Sequence, residues 1–199
     1  MQQFKNNLIV FSSPITRDDE ITIVLKILES KIVYFHLRKP AYSINETRSF
    51  LNKLPKRLHS KIVIHNHVSL LEEYNLKGYY CTRKFLQGNS VELLKNKHPN
   101  TLFSKGCHSI VELSNIEMYD YVFLSPIFDS ISKRNLPASF EFNQLEKALI
   151  DTKVPIYALG GITPLLLEKI KHFNFQGIGI LGFLWSNKNP IQQLGKFFN

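Results

Sequence analysis

The chain has 199 residues, 44% of them hydrophobic and 21% charged, a composition expected of one soluble domain spanning residues 1–199 with a substantial core. No apolar run reaches the roughly 18 residues of a membrane span, and the first residues lack a long apolar stretch with a cleavage site, so a cytoplasmic protein without a membrane partner is expected. The net charge is +9, but adjoining basic residues come only in pairs, Arg38-Lys39, Lys56-Arg57, Arg83-Lys84 and Lys133-Arg134, with no zinc-finger, helix-turn-helix or RNP-like motif; this predicts a basic surface that favours small anions, not nucleic acid.

Short apolar runs rich in β-branched and aromatic residues predict strands at 8–11, 32–37, 62–64, 78–81, 101–103, 121–124, 154–159 and 177–181. Between them lie helical patterns. Ile21, Val24, Leu25 and Leu28 recur at i, i+3, i+4 and i+7. Ser43-x-x-Glu46 reads as a capping box, opening a helix that turns Ile44, Thr47, Leu51 and Leu54 inward. Shorter helices are expected within 66–75, 86–97 and 109–118. Phe142, Leu145 and Leu149 form a further stripe, and Thr163-Pro164 opens another with Leu166, Ile170 and Phe173. Asn189-Pro190 starts the last helix, with Ile191, Leu194 and Phe198 inward. Eight strand–helix repeats in this length predict a compact (β/α)8 TIM barrel; an open doubly wound sheet, which shares the alternation, is the runner-up.

In such a barrel functional groups sit just past the C-terminal ends of the strands. That rule collects His36, Arg38 and Lys39 after the second strand, and His65, Asn66 and His67 after the third. Thr82, Arg83 and Lys84 follow the fourth; Gly106, Cys107 and His108 follow the fifth. After the sixth comes the loop from Ser125 to Lys133, whose Ser130, Ser132 and Lys133 offer hydroxyl donors and an ammonium suited to phosphate oxygens. Gly160-Gly161 and Gly182 follow the last two strands, where backbone N–H groups of Gly161 and Gly182 can approach a phosphate; a plain tight turn is the alternative. Arg38, at the end of an apolar strand, binds an anion or forms a structural ion pair. His108 is a candidate general acid/base, since imidazole titrates near neutrality, or a histidine held at the rim. Asp129 is the one carboxylate placed at this end. Cys81 and Cys107, far apart, read as buried thiols, and His65 with His67 lacks a third metal ligand.

These residues resemble the thiamine phosphate synthase/TenI family over about residues 8–185. The resemblance rests on His36-Leu37-Arg38, on Cys107-His108-Ser109-x-x-Glu112, and on Asp120-Tyr121-Val122 through Ser125-Pro126-Ile127-Phe128. Ser130-Ile131-Ser132-Lys133 and Ala158-Leu159-Gly160-Gly161-Ile162-Thr163-Pro164 complete it. It implies a (β/α)8 barrel and a small-molecule phosphate substrate, with Arg38, Ser130, Ser132 and Lys133 at diphosphate- or phosphate-holding positions and Gly161 and Gly182 at the backbone phosphate site. The family's synthases join hydroxymethylpyrimidine diphosphate to thiazole phosphate with Mg2+. They carry Asn-Asp after the third strand and a Gly-Gln-x-Asp-like stretch after the fourth; this chain has His65-Asn66 and Thr82-Arg83-Lys84-Phe85. Asn66, Arg83 and Lys84 therefore stand where acidic Mg2+ ligands are expected. This favours the TenI-like thiazole tautomerisation, which needs a general acid/base at His108 and no metal cofactor, over coupling, which would need Mg2+. A non-catalytic protein that binds thiazole phosphate is the third reading. A homo-oligomeric state is left open.

Overall fold

The computed structural model describes residues 2–129 and 140–198. Eight parallel strands close into a barrel in chain order: β1 (Leu8–Phe11), β2 (Tyr34–Leu37), β3 (Ile62–Ile64), β4 (Gly78–Tyr80), β5 (Leu102–Cys107), β6 (Tyr121–Leu124), β7 (Ile156–Ala158) and β8 (Gly177–Ile180). The seam is made by β1 and β8, with Leu8 opposite Ile178, Ile9 opposite Gly179 and Val10 opposite Ile180. Among the described residues the helices are α1 (Gln2–Lys5), α2 (Glu20–Glu29), α3 (Ile44–Asn52), α4 (Leu70–Glu73), α5 (Arg83–Leu86), α6 (Val91–Lys97), α7 (Phe142–Ile150), α8 (Gly182–Trp185) and α9 (Pro190–Gly195). None of them is long and apolar enough to cross a membrane.

Strand residues alternate between two cores, because successive side chains point to opposite faces of a sheet. One set, including Leu8, Val10, Phe35, Leu37, Ile62, Ile64, Val122 and Leu124, packs outward against the helices. The other set fills the barrel lumen with rings: Phe11, Tyr121, Phe123 and Tyr157, with Tyr34 and Tyr80 against them. Gly179 makes room for this filling, since a Cβ there would lie 3.1–3.2 Å from Leu159, Phe11 and Phe123. Such layers of interior side chains make the barrel a packed core and not a pore.

The helices follow local signals. Ser43 Oγ accepts from the Glu46 N–H at 3.3 Å while the Glu46 carboxylate accepts from the Ser43 N–H at 2.7 Å, a complete capping box at the start of α3. Asn189 accepts from the Gln192 N–H and caps α9, with Pro190 in its first turn. At the other end of the chain, Trp185 Nε1 donates to the Phe11 carbonyl at 2.7 Å and ties α8 to β1.

Three expectations shift. β5 runs to Cys107 and not to Phe103, because Lys105 points out of the barrel with its ammonium 5.4 Å from the Tyr119 ring centre, and so interrupts the apolar run without ending the strand. Segment 164–169 is a 3₁₀ helix, and so is 111–115. Its three residues per turn bury Leu167 where a 3.6-residue period assigned Leu166. α9 stops at Gly195, and beyond it Phe197 is buried more deeply than Phe198.

Candidate active site

The C-terminal end of the barrel carries most of the functional groups the sequence singled out. β2 places Tyr34, His36 and Arg38 on the lumen side by simple alternation. His36 is fully buried. Its Nδ1 lies 3.1 Å from His65 Nε2, and its Nε2 lies 2.8 Å from the Tyr121 hydroxyl. Burial holds both imidazoles neutral: His36 is pushed down to about 3, and His65 also falls well below the ordinary histidine value, with burial first and the charges of His36 and Arg38 adding to it. His65 stacks flat on Tyr80, ring centres 4.2 Å apart at 13°. Phe11 and Phe123 close the sides of this cluster.

Arg38 is half-buried above it. Its backbone is pinned to β1, the Ser12 Oγ accepting from the Arg38 N–H at 2.9 Å and donating to the Arg38 carbonyl at 3.1 Å. No hydrogen bond or ion pair of its guanidinium is made among the described residues, while its charge bears on His65 and Tyr80. Lys39 takes the opposite direction. Its ammonium is buried, 2.7 Å from Glu20 Oε2 and 3.1 Å from the Ile15 carbonyl, so it anchors the β1–α2 loop. Burial, opposed by Lys39, leaves the Glu20 carboxyl above its ordinary value. Asn66 Nδ2 donates to the Lys39 carbonyl at 3.1 Å. His67, in the left-handed region at φ 58°, donates from Nε2 to the Tyr42 carbonyl at 2.8 Å.

A second group forms across β4 and β5. Arg83 pairs with Glu112 at 3.2 Å, and the other oxygen of Glu112 accepts from the His108 N–H at 3.3 Å. Glu112 thus joins Asp129 as a carboxylate at this end. The Ser109-x-x-Glu112 spacing was its signal: Ser109 Oγ accepts from the Glu112 N–H, half of a capping box whose acid reaches back one residue too far. His108 is exposed, and its Nδ1 donates to the Ser125 carbonyl at 3.0 Å. Because a carbonyl only accepts, the proton of the neutral ring is held on Nδ1, and Nε2 is left as a base. Lys84 projects from α5 beside Arg83 and is exposed. Gly106 and Cys107 lie within β5 and not in the loop beyond it.

At the ends of β7 and β8, Gly160 and Gly161 adopt φ of 92° and 67°, a region that β-carbons disfavour. A Cβ on Gly161 would run into the Asp129 carbonyl and into Phe128. Gly182 opens α8 directly after β8. Ser130, Ser132 and Lys133 lie outside the described residues. Cys81 and Cys107 are free and buried, and burial pushes their thiols up to about 12 and about 11.

At the ends of β3 and β4 the side chains do not fit Mg2+. A hard cation needs several carboxylate or carbonyl oxygens, whereas the ends of β3 and β4 offer one amide and two cations. Among the described residues no group of three or more His, Cys, Asp or Glu could hold a metal ion.

Comparison with known proteins bears on the family and the fold. The family model described as thiamine monophosphate synthase matches residues 7–182. The thiamine-phosphate synthase of Chlamydia caviae is 24% identical over 192 residues, 94% of this chain and 90% of that protein. Thiamine-phosphate synthase 1 of Streptococcus pneumoniae is 23% identical over 178 residues, covering 84% of this chain and 83% of that one. A crystal structure of thiamine phosphate pyrophosphorylase from Bacteroides thetaiotaomicron is 29% identical with a TM-score of 0.77, covering 96% of this chain and 95% of that chain. The thiamine phosphate pyrophosphorylase from Pyrococcus furiosus, 16% identical over 99% of this chain and 96% of its own, shares the fold with a TM-score of 0.79.

Proposed function

The chain belongs to the thiamine monophosphate synthase family, and from that premise we propose that it is an enzyme of thiamine biosynthesis that binds thiazole phosphate and moves a proton on the thiazole ring, without coupling the ring to a pyrimidine diphosphate. The observation that carries this reading is the state of His108. Its Nδ1–H is spent on the Ser125 carbonyl, so Nε2 is a base by construction.

In the proposed reaction His108 Nε2 takes a proton from a carbon of the thiazole tautomer. The electron pair of that C–H bond enters the conjugated ring, a new C–H bond forms at the far end of the conjugation, and the imidazolium returns the proton there. Atoms and charge balance without a metal or a second substrate. Arg38, which has no protein partner for its guanidinium among the described residues, supports the reading as an anion contact. The backbone N–H groups of Gly161 and Gly182 suit the phosphate at neighbouring strand ends. Ser130, Ser132 and Lys133 are assigned to the same anion on the strength of the family resemblance. Asn66, Arg83 and Lys84 are assigned to the remaining side on the strength of the strand-end rule.

Two assays test this. With the thiazole phosphate tautomer as sole substrate, isomerisation is expected, and His108→Ala abolishes it while thiazole phosphate binding by calorimetry persists. Robust thiamine phosphate formation from both substrates with Mg2+ would instead establish coupling, the activity named for the relatives. Tight binding with neither turnover would make the protein a thiazole phosphate binder.

A further inference from the structure

Tyr80 is the last residue of β4 and faces the lumen, yet it keeps part of its surface open. The inside of the barrel is arranged to hold it. Its ring lies on the His65 imidazole, His65 is hydrogen-bonded to His36, and His36 to Tyr121. With the flanking Phe123 this leaves the Tyr80 ring little rotational freedom. The hydroxyl ends over Gly106, where a β-carbon would stand 2.5 Å from it and 3.8 Å from His108 Nε2. One missing side chain thus brings the phenol and the base close to a single point. Among the described residues the Tyr80 hydroxyl makes no hydrogen bond, so the phenol's own hydrogen is left to donate to a bound molecule. Burial pushes the phenol up to about 12, which keeps that hydrogen in place.

We propose that Tyr80 is a further catalytic residue of this site, a neutral hydrogen-bond donor that stabilises the negative charge spreading over the heteroaromatic ring as His108 Nε2 removes its proton. This deepens the proposed isomerisation and rests on it. A half-buried, oriented donor acts where charge develops and needs no reorganisation during the step. The phenol itself stays protonated, and the proton that moves is the one His108 carries. His65, His36 and Tyr121 act through Tyr80 as positioning residues.

The test is isomerisation of the thiazole phosphate tautomer by wild-type protein, Tyr80→Phe and Gly106→Ala. Tyr80→Phe retains the ring that stacks on His65, and thermal unfolding checks that the fold is kept. The expected result is a fall in kcat on the order of 10²-fold with KM nearly unchanged and the shape of the pH–rate profile preserved. A purely structural role would disturb KM and the profile as well. Gly106→Ala, which displaces the hydroxyl and leaves the ring chemistry intact, should reproduce the kcat loss and carries the test if Tyr80→Phe does not fold. Wild-type turnover with kcat unaltered in the variants overturns this inference alone. Absence of turnover in the wild-type protein overturns the isomerase reading and this inference together.

Discussion

Acidification should unfold this protein through two histidines in the barrel lumen. A histidine in an unfolded chain titrates near 6.5, whereas burial holds His36 down to about 3 and His65 well below its ordinary value. Between those values the unfolded chain binds protons that the native lumen refuses, so stability is highest above about pH 6.5 and falls as the pH drops toward the folded value. Between pH 7 and pH 5 His36 removes about 1.9 kcal/mol, and His65 adds to the loss in the same direction. That is a sizeable part of the 5–15 kcal/mol typical of a folded domain. Glu20 works in the opposite sense. Its carboxyl is raised by burial, so what it contributes is present at low pH and lost as pH rises through its folded value. The measurement must therefore be a difference. Urea unfolding at pH 7, 6 and 5, followed by the fluorescence of the single tryptophan, Trp185, is compared between the wild type and His36→Gln/His65→Gln. From pH 7 to pH 5 the unfolding free energy of the wild type should fall by at least about 2 kcal/mol more than that of the double variant. Parallel curves for the two proteins would refute the assignment to the lumen histidines.

Two other perturbations have defined outcomes. Lys39→Met strands the buried Glu20 carboxylate, whose Oε1 is already without a hydrogen-bond partner among the described residues, and should cost about 3–5 kcal/mol at pH 7 in denaturant unfolding, with most of it recovered in Lys39→Met/Glu20→Leu. A double variant as unstable as the single one would show that the loss is not electrostatic. Gly161→Ala forces a β-carbon onto φ 67° and against Phe128; it should lose about 1–2 kcal/mol from the backbone alone and weaken thiazole phosphate binding in calorimetry, and unchanged affinity would place the phosphate elsewhere.

The fold was legible because a (β/α)8 barrel writes each strand as an apolar run buried on both faces, as in Tyr121–Leu124. Where an outward polar residue such as Lys105 broke the run, the strand end was misplaced and Gly106 was moved off its strand. Helix type was less legible: Thr163-Pro164 marks a start but does not tell 3₁₀ from α. The strand-end rule placed Arg38, Asn66, Arg83, Lys84, His108, Gly161 and Gly182 at the C-terminal end of the barrel, where they lie, since position along a strand is a local property. It could not separate Arg38 from Lys39, which adjoin in sequence but turn opposite ways because side chains alternate. Nor could it find the contact of His36 with His65 and Tyr121, which depends on the register of strands 29 and 85 residues apart. Tyr80 was read as part of an apolar run, and only the bare Cα of Gly106 beneath its hydroxyl shows what it faces.

The seam between β1 and β8 has a consequence for how the chain reaches this state. β1 leaves the ribosome before the other strands of the barrel, but its partner Gly177–Ile180 and the Trp185 clasp on Phe11 come about 170 residues later. Until then β1 presents unpaired N–H and C=O groups along the apolar run Leu8–Phe11, a template for joining with another nascent chain. Closure at such sequence separation is slow, since the entropy of the long loop is lost before the contacts form. The span of greatest aggregation risk is therefore the interval between the first strand and the last.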